Sequence, residues 1–297
     1  MKRSAPMLFL FAFSLLTALA AGFLVALFIM PNLSDRRSGQ LPSPSATATP
    51  DNAIIIYTPV ITPETLITLP PEPIEGTSSP VEEIILPLKG LVIGIDPGHQ
   101  SLSDTSTEPN APGSTEMKMK DSGGTQGRWT GTPEYQVNLD VSLLLRDVLE
   151  EQGAAVVMTR EINEIRVSNI ERAEIFNEAM TDYALRIHCN GSLNPSDHGA
   201  FILVPQTNPF HEDCTLAAQI LIDAFCENTG AKNMGFYYSS DMTGFNWSER
   251  MVILIEMGHM TNEAEDYKLS DPEYQALMVQ GILNGILEYF EIKSKAD

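Results

Sequence analysis

The feature that most constrains the fold is an alternation of two hydrophobic patterns after residue 90. Short apolar runs rich in β-branched residues, such as residues 91–95 and 251–255, alternate with stretches whose apolar residues recur every three or four positions. The short runs predict buried strands, and the longer stretches predict amphipathic helices. Strands that alternate with helices indicate an α/β protein with a mostly parallel, twisted sheet of about six strands and helices on both faces.

The same patterns predict individual elements. The predicted strands cover residues 91–95, 154–159, 183–187, 200–204 and 251–255, and the predicted helices cover residues 163–180, 215–228 and 272–292. A further helix is expected to begin at Pro133, with Thr132 as its N-cap and Gly153 as its stop. Residues 100–132 are polar and rich in Ser, Thr and Gly, which predicts a long loop that serves as a lid or binding loop.

The N-terminal region predicts membrane association. Residues 7–30 are apolar and uncharged, which is long enough to span a bilayer as a single-pass anchor. Cleavage as a signal peptide, which would make the protein secreted, is the alternative. Residues 31–86 are rich in Pro, Ser and Thr and are expected to be a disordered linker. The folded domain is therefore predicted at residues 87–297.

Composition excludes several functional classes. The net charge of −21 argues against binding to nucleic acid, because phosphate contacts need clustered Lys and Arg. The three cysteines are irregularly spaced and contain no CxxC pair, so neither a disulfide framework nor a cysteine zinc site is expected.

Polar side chains occupy equivalent positions in the predicted sheet. His99, His188 and Glu256 each follow or end a predicted buried strand, and Glu134 lies in the first turn of the helix after the long loop. The carboxyl ends of parallel strands meet at one edge of a sheet, so these four residues are expected to converge. Individually, each is also typical of a structural role: a hydrogen-bonded histidine, or an acid at a helix N-terminus.

Two imidazoles and a carboxylate suit catalytic Zn²⁺, with a further carboxylate as general base. The simplest assignment has His99, Glu134 and His188 bind the metal while Glu256 takes the proton, although the residues alone leave the two glutamates interchangeable. Cys189 next to His188 suggests a Cys–His nucleophile, but adjacent strand residues point to opposite faces. The remaining histidines are expected at the surface or in loops, with His259 close enough to Glu256 to line the site.

Five segments together resemble the zinc-dependent N-acetylmuramoyl-L-alanine amidases, which hydrolyse peptidoglycan. The segments are Ile-Asp-Pro-Gly-His (95–99), Glu-Tyr-Gln-Val-Asn-Leu-Asp (134–140), Val-Met-Thr-Arg (157–160), Arg-Ile-His-Cys-Asn (186–190) and Ile-Glu-Met-Gly-His-Met-Thr-Asn (255–262). They occur in the family's order across about residues 91–290.

The resemblance implies a role for each residue and a reaction. It implies that His99, Glu134 and His188 hold zinc and that Glu256 is the catalytic carboxylate. It also implies that zinc-activated water cleaves the amide between N-acetylmuramic acid and the L-alanine of the stem peptide. A peptidoglycan substrate implies that the domain lies outside the cell, held at the membrane by residues 7–30.

The chain departs from the family pattern in several places. Segment 101–131 is longer than usual, so it is expected to shape the groove or cover the metal, and His259 stands where an aromatic residue is more common. Residues 246–250 are expected to line the substrate groove, where Arg250 would meet a stem-peptide carboxylate or remain solvated. No wall-binding repeat and no activating protein partner can be identified.

Two other functions remain open from the sequence. One is a zinc peptidase that acts on stem peptides, which shares the metal chemistry and differs in the bond cleaved. The other is a catalytically silent wall-binding or regulatory module.

Overall fold

The computed structural model describes residues 86–296, which form eight strands and six helices. The predicted membrane anchor and nearly all of the predicted linker lie outside the described residues. Among residues 86–296, no helix has both the length and the apolar character needed to cross a bilayer.

The elements alternate along the chain much as the hydrophobic patterns predict. In order they are β1 (Val92–Pro97), β2 (Asp104–Pro109), β3 (Met117–Asp121), α1 (Glu134–Glu151), β4 (Ala155–Met158), α2 (Asn169–Glu178), β5 (Tyr183–Asn190), β6 (Ala200–Pro205), α3 (His211–Thr229), β7 (Asn233–Ser239), α4 (Thr243–Asn246), β8 (Val252–His259), α5 (Glu263–Leu269) and α6 (Pro272–Ala296).

Six strands form one sheet in the order β4-β1-β5-β8-β6-β7. All neighbouring pairs are parallel except β6 and β8, which are antiparallel. The predicted α/β class and the mostly parallel six-stranded sheet are therefore confirmed. The parallel strands β1, β5 and β8 lie side by side, which brings their carboxyl ends to one edge.

Both faces of the sheet are covered. The larger hydrophobic core lies on the face packed by α1, α3 and α6, and it includes Leu185 and Ile187 of β5. A smaller cluster lies on the opposite face, where Ala184 meets Phe176 of α2 and Phe245 of α4. Helices on both faces are therefore confirmed, and each central strand buries alternate residues in the two layers.

Strand alternation also places several polar side chains on the same face of the sheet. In β5, Arg186 and His188 share the face of Ala184, because side chains two apart point to the same side. Parallel pairing sets Arg186 beside Asp96 of β1 and His188 beside Glu256 of β8. All four polar side chains therefore lie on the face that carries α2, near the edge where these strands end.

The structure corrects several local predictions. The N-cap of α1 is Pro133, without a side-chain hydrogen bond, rather than Thr132. Helix α2 begins at Asn169 and not at residue 163, because Ser168 and Glu171 form a capping box that starts the helix there. The predicted loop 100–132 contains an antiparallel hairpin, β2–β3, with an irregular register. Strand β7 and helices α4 and α5 lie in segments without a clear hydrophobic period.

Candidate metal centre

His99 is delivered to the sheet edge by a tight turn after β1. Gly98 allows the close approach, because a β-carbon there would overlap the ring of His188. His99 itself has a φ of 59°, a left-handed conformation that is unfavourable for a non-glycine residue by about 1–3 kcal/mol. The carbonyl oxygen of His99 accepts a hydrogen bond from Nη2 of buried Arg172 at 3.2 Å. This bond helps to hold the strained turn.

Glu134 is the first residue of α1 and is 3% exposed. Its Oε2 accepts a hydrogen bond from the backbone N–H of Thr125 at 2.9 Å. Its Oε1 accepts bonds from Nδ2 of Asn138 and from the backbone N–H of Cys189, both at 3.2 Å. The carboxylate is therefore fixed from three directions, and Oε1 faces the two histidines.

The structure brings His99, Glu134 and His188 together, with one ligand-type atom from each lying within 4.8 Å of the others. Oε1 of Glu134 lies 3.5 Å from Nε2 of His99 and 3.1 Å from Nδ1 of His188. In a tetrahedral zinc site with zinc–ligand distances near 2.0–2.1 Å, two ligand atoms lie about 3.3–3.4 Å apart. Both measured distances are close to this separation. The donor set and spacing therefore fit a divalent metal ion such as zinc.

The electrostatics of this group favour the metal-binding protonation states. Burial alone would raise the pKa of Glu134, but the hydrogen bond with His188 and the nearby imidazoles lower it to about 2. Burial lowers the pKa of His188 to about 4, and the hydrogen bond with Glu134 offsets only part of that shift. At neutral pH the site therefore holds an ionised carboxylate and a neutral imidazole, the forms that ligate metals.

Glu256 lies beside His188 in the sheet, three residues before the end of β8. Its Oε2 is buried and has no hydrogen-bond partner in the described part of the chain. Burial, followed by the charge of Glu134, raises its pKa well above the usual range. A raised pKa is typical of a carboxyl group that exchanges protons near neutral pH.

A cavity of about 490 Å³ contains all four predicted site residues in its lining. Arg128 is the one Lys or Arg side chain among the described residues that line it, and its side chain is exposed. Arg250, which was expected to meet a substrate carboxylate or remain solvated, lies just before β8, at the opposite end of that strand from Glu256. Its Nε donates to the carbonyl oxygen of Thr181 at 2.7 Å. Arg250 therefore does not line this cavity, so of its two expected roles the contact with a substrate carboxylate has no support at this site.

None of residues 246–250 lines this cavity, and Asn246 and Trp247 instead contact the β2–β3 hairpin. Nε1 of Trp247 donates to the carbonyl oxygen of Pro109 at 2.9 Å, and Nδ2 of Asn246 donates to that of Asn110 at 3.1 Å. The segment therefore supports the hairpin from outside the site.

Cys189 and His259 are buried residues of β5 and β8, and neither has the position expected of an active-site group. The Cys189 side chain belongs to the large core, on the face opposite His188, and burial raises the pKa of its thiol well above the usual range. The expectation that Cys189 and His188 point to opposite faces of the strand therefore agrees with the structure. His259, expected in a loop or at the surface, is buried at the end of β8, where Nε2 lies 3.1 Å from Nδ2 of Asn190.

Asp121 also belongs to the group of candidate site residues, although no sequence pattern indicates it. Its Oδ1 lies 2.9 Å from Nδ1 of His99, and the residue is 6% exposed at the end of β3. An aspartate within a long polar segment carries no signal of its own, and only the folding of the hairpin brings it to the histidine.

Comparison with known proteins places these observations in a family. The family model described as N-acetylmuramoyl-L-alanine amidase matches residues 93–288. The germination-specific N-acetylmuramoyl-L-alanine amidase of Bacillus subtilis is 27% identical over 226 residues, covering 70% of this chain and 83% of that protein. The N-acetylmuramoyl-L-alanine amidase Rv3717 of Mycobacterium tuberculosis is 24% identical over 220 residues, covering 70% of this chain and 90% of that protein.

The fold agrees with a solved member. The crystal structure of the N-acetylmuramyl-L-alanine amidase Ami1 from Mycobacterium smegmatis matches with a TM-score of 0.64 and 23% identity, and the match covers 69% of this chain and 99% of that one. Because the family model spans well over half of the sequence, this chain belongs to the N-acetylmuramoyl-L-alanine amidase family.

Proposed function

We propose that this protein hydrolyses peptidoglycan at the amide bond between N-acetylmuramic acid and the L-alanine of the stem peptide. The observation that carries the proposal is the cluster of His99, Glu134 and His188, whose ligand-type atoms lie within 4.8 Å of one another in the cavity that Glu256 also lines. Family membership supports the choice of bond.

In this proposal His99, Glu134 and His188 hold a zinc ion. Bound zinc supplies Lewis-acid chemistry, which polarises a carbonyl oxygen and makes water more acidic. The protein holds Glu134 ionised through its backbone and side-chain donors, and it keeps His188 neutral by burial.

Glu256 acts as the proton carrier of the reaction. Its carboxylate accepts the proton of the attacking water and then donates a proton to the amine that leaves with the stem peptide. The unpartnered Oε2 leaves an oxygen available for this transfer, and burial, which raises the pKa of the Glu256 carboxyl group, favours its protonated form. Arg128 at the rim offers a positive charge to carboxylates of the stem peptide.

Product analysis tests the reaction. Purified protein incubated with peptidoglycan is expected to release stem peptides with a free L-alanine amino group and to leave intact glycan strands. Because the metal is required, EDTA is expected to abolish release and added Zn²⁺ to restore it. Mass spectrometry of the soluble products identifies the bond.

The alternatives give different products. Cleavage within the stem peptide would identify a zinc peptidase and overturn the amidase assignment. Stoichiometric zinc with no cleavage of any bond would favour a silent wall-binding module.

We further propose that residues 7–30 anchor the protein in the cell membrane with the catalytic domain outside. The uncharged apolar length of this segment supports the anchor, and the peptidoglycan substrate supports the orientation. After cell lysis, full-length protein is expected in the membrane fraction. In intact cells, its catalytic domain is expected to be accessible to added protease. Recovery of a shortened protein in the medium would instead indicate signal cleavage and secretion.

A further inference from the structure

The β2–β3 hairpin contributes one buried carboxylate to the edge of the metal centre. Asp121, the last residue of β3, is 22 residues from His99 in sequence, and its Oδ1 lies 2.9 Å from Nδ1 of the ring. Its Oδ2 is buried without a hydrogen-bond partner among the described residues. The His99 ring is thus the group that the Asp121 carboxylate contacts by hydrogen bonding.

This contact fixes how His99 presents its other nitrogen. An ionised carboxylate only accepts hydrogen bonds, so Nδ1 of His99 carries the proton and donates it. Nε2 then has a free lone pair, and it is the nitrogen that lies 3.5 Å from Oε1 of Glu134. A carboxylate on the remote nitrogen orients an imidazole ligand and increases its basicity.

The hairpin is attached to the rest of the domain at points away from the histidines. The carboxylate of Glu108 accepts a hydrogen bond from the backbone N–H of Asn169, at the start of α2, at 3.0 Å. Nε1 of Trp247 donates to the Pro109 carbonyl, and Nζ of Lys118 lies 2.8 Å from Oδ1 of Asp241. These contacts hold both strands, so the position of Asp121 is set from outside the metal centre.

We propose that Asp121 is a positioning residue for the metal centre and that segment 101–131 serves metal retention by delivering it. Asp121 acts through His99, whose ring it locks in the tautomer and orientation needed for ligation by Nε2. The inference rests on the proposed function in one respect, namely that a metal binds at His99, Glu134 and His188.

Zinc affinity of the full-length protein, measured by competition with a chromophoric chelator, tests this role. Asp121→Ala is expected to weaken zinc binding by about 10–100-fold, because His99 loses its orienting partner. Asp121→Asn is expected to recover part of that loss, because an amide oxygen still accepts from Nδ1 although the charge is gone.

Asp104→Asn is the matched control. Asp104 lies opposite Asp121 in the same hairpin, but its carboxylate accepts from the backbone N–H of Ser106 and not from His99. The zinc affinity of the Asp104→Asn variant is expected to equal that of the wild type. The melting temperature of each metal-free variant reports whether the fold is retained, and the isosteric Asn variant tests the role if Asp121→Ala does not fold.

The outcomes separate this inference from the proposed function. If wild-type protein binds zinc and folded Asp121→Asn and Asp121→Ala bind it equally tightly, the positioning role is overturned and the amidase proposal stands. An equal loss of affinity in Asp104→Asn would also overturn the role, because the effect would belong to the hairpin as a whole. If the wild type binds no zinc, the proposed function and this inference fail together.

Discussion

Replacing Glu256 by glutamine is expected to slow amide hydrolysis by about 100- to 10,000-fold while zinc remains bound, the range typical of a lost general acid–base. Glutamine has nearly the same shape but takes up no proton. The side chain lies beside His188 in the sheet without serving as one of the three clustered ligands, so the metal centre is expected to survive. The measurements are kcat on purified peptidoglycan fragments and zinc content by atomic emission.

His188→Ala provides the contrast, because it is expected to lose both zinc and activity. Loss of zinc in Glu256→Gln, with zinc retained in Glu134→Gln, would reverse the roles assigned to the two glutamates. Near-wild-type turnover by Glu256→Gln would show that another group carries the proton.

Replacing Asp96 by asparagine is expected to lower the free energy of unfolding by about 3–5 kcal/mol, because it leaves buried guanidinium groups without their counter-ion. Asp96 is fully buried and forms ion pairs with Arg172 and with Arg186, the latter at 2.7 Å. Its Oδ1 also accepts a hydrogen bond from Thr159. Urea denaturation followed by circular dichroism measures the change.

Asp147→Asn is the matched control for this loss. Asp147 pairs with Arg146 at 2.7 Å on the surface, where its side chain is 59% exposed. Exposed pairs contribute about 1 kcal/mol or less, so this variant is expected to unfold almost as the wild type does. A similar small change in Asp96→Asn would contradict the view that the buried network supports the fold.

The pH dependence of stability provides a second measurement on Asp96. Burial alone would raise the pKa of its carboxyl group, but the charges of Arg172 and Arg186 outweigh burial and lower it far below the usual range. The folded protein therefore keeps this carboxylate ionised when the unfolded chain, with a pKa of about 3.9, begins to bind a proton. The stability that Asp96 contributes is present above about pH 4 and falls as the pH drops below it. Asp96→Asn is expected to lack that part of the acid destabilisation.

Loss of the Asp96 carboxylate is also expected to disturb the position of His99 in the metal centre. The same Arg172 that pairs with Asp96 donates to the carbonyl oxygen of His99, where the backbone has its left-handed conformation. The buried ion pairs therefore connect the stability of the sheet edge with the position of the first proposed ligand.

Much of the fold was predictable because it depends on local pattern. The alternation of β-branched runs with helical periods predicted the α/β class, and five of the six strands of the main sheet were placed within a few residues. The period of two along a strand likewise determined that His188 and Cys189 point to opposite faces, which the structure confirms. The weakly patterned strand β7 was missed because its residues are mostly half-buried or exposed.

The candidate site was predictable in part for the same reason. His99, His188 and Glu256 occur near the carboxyl ends of strands, and parallel strands bring those ends to one edge. Glu134 was placed by the helix pattern that starts beside it. Their assignment as ligands and proton carrier remains a prediction that zinc content and turnover will test.

The sequence by itself determined which side chains face each side of the central strands, because strand periodicity is a local property of the backbone. Only the tertiary structure decided the strand order, the antiparallel placement of β6, the buried pairing of Asp96 with two arginines, and the contact of Asp121 with His99. These features join residues far apart in the chain, and such contacts depend on how whole elements pack rather than on any short stretch of sequence. For the same reason, the sequence left the position of Arg250 open between the substrate groove and the solvated surface, and only the tertiary structure shows that Arg128, and not Arg250, lines the cavity.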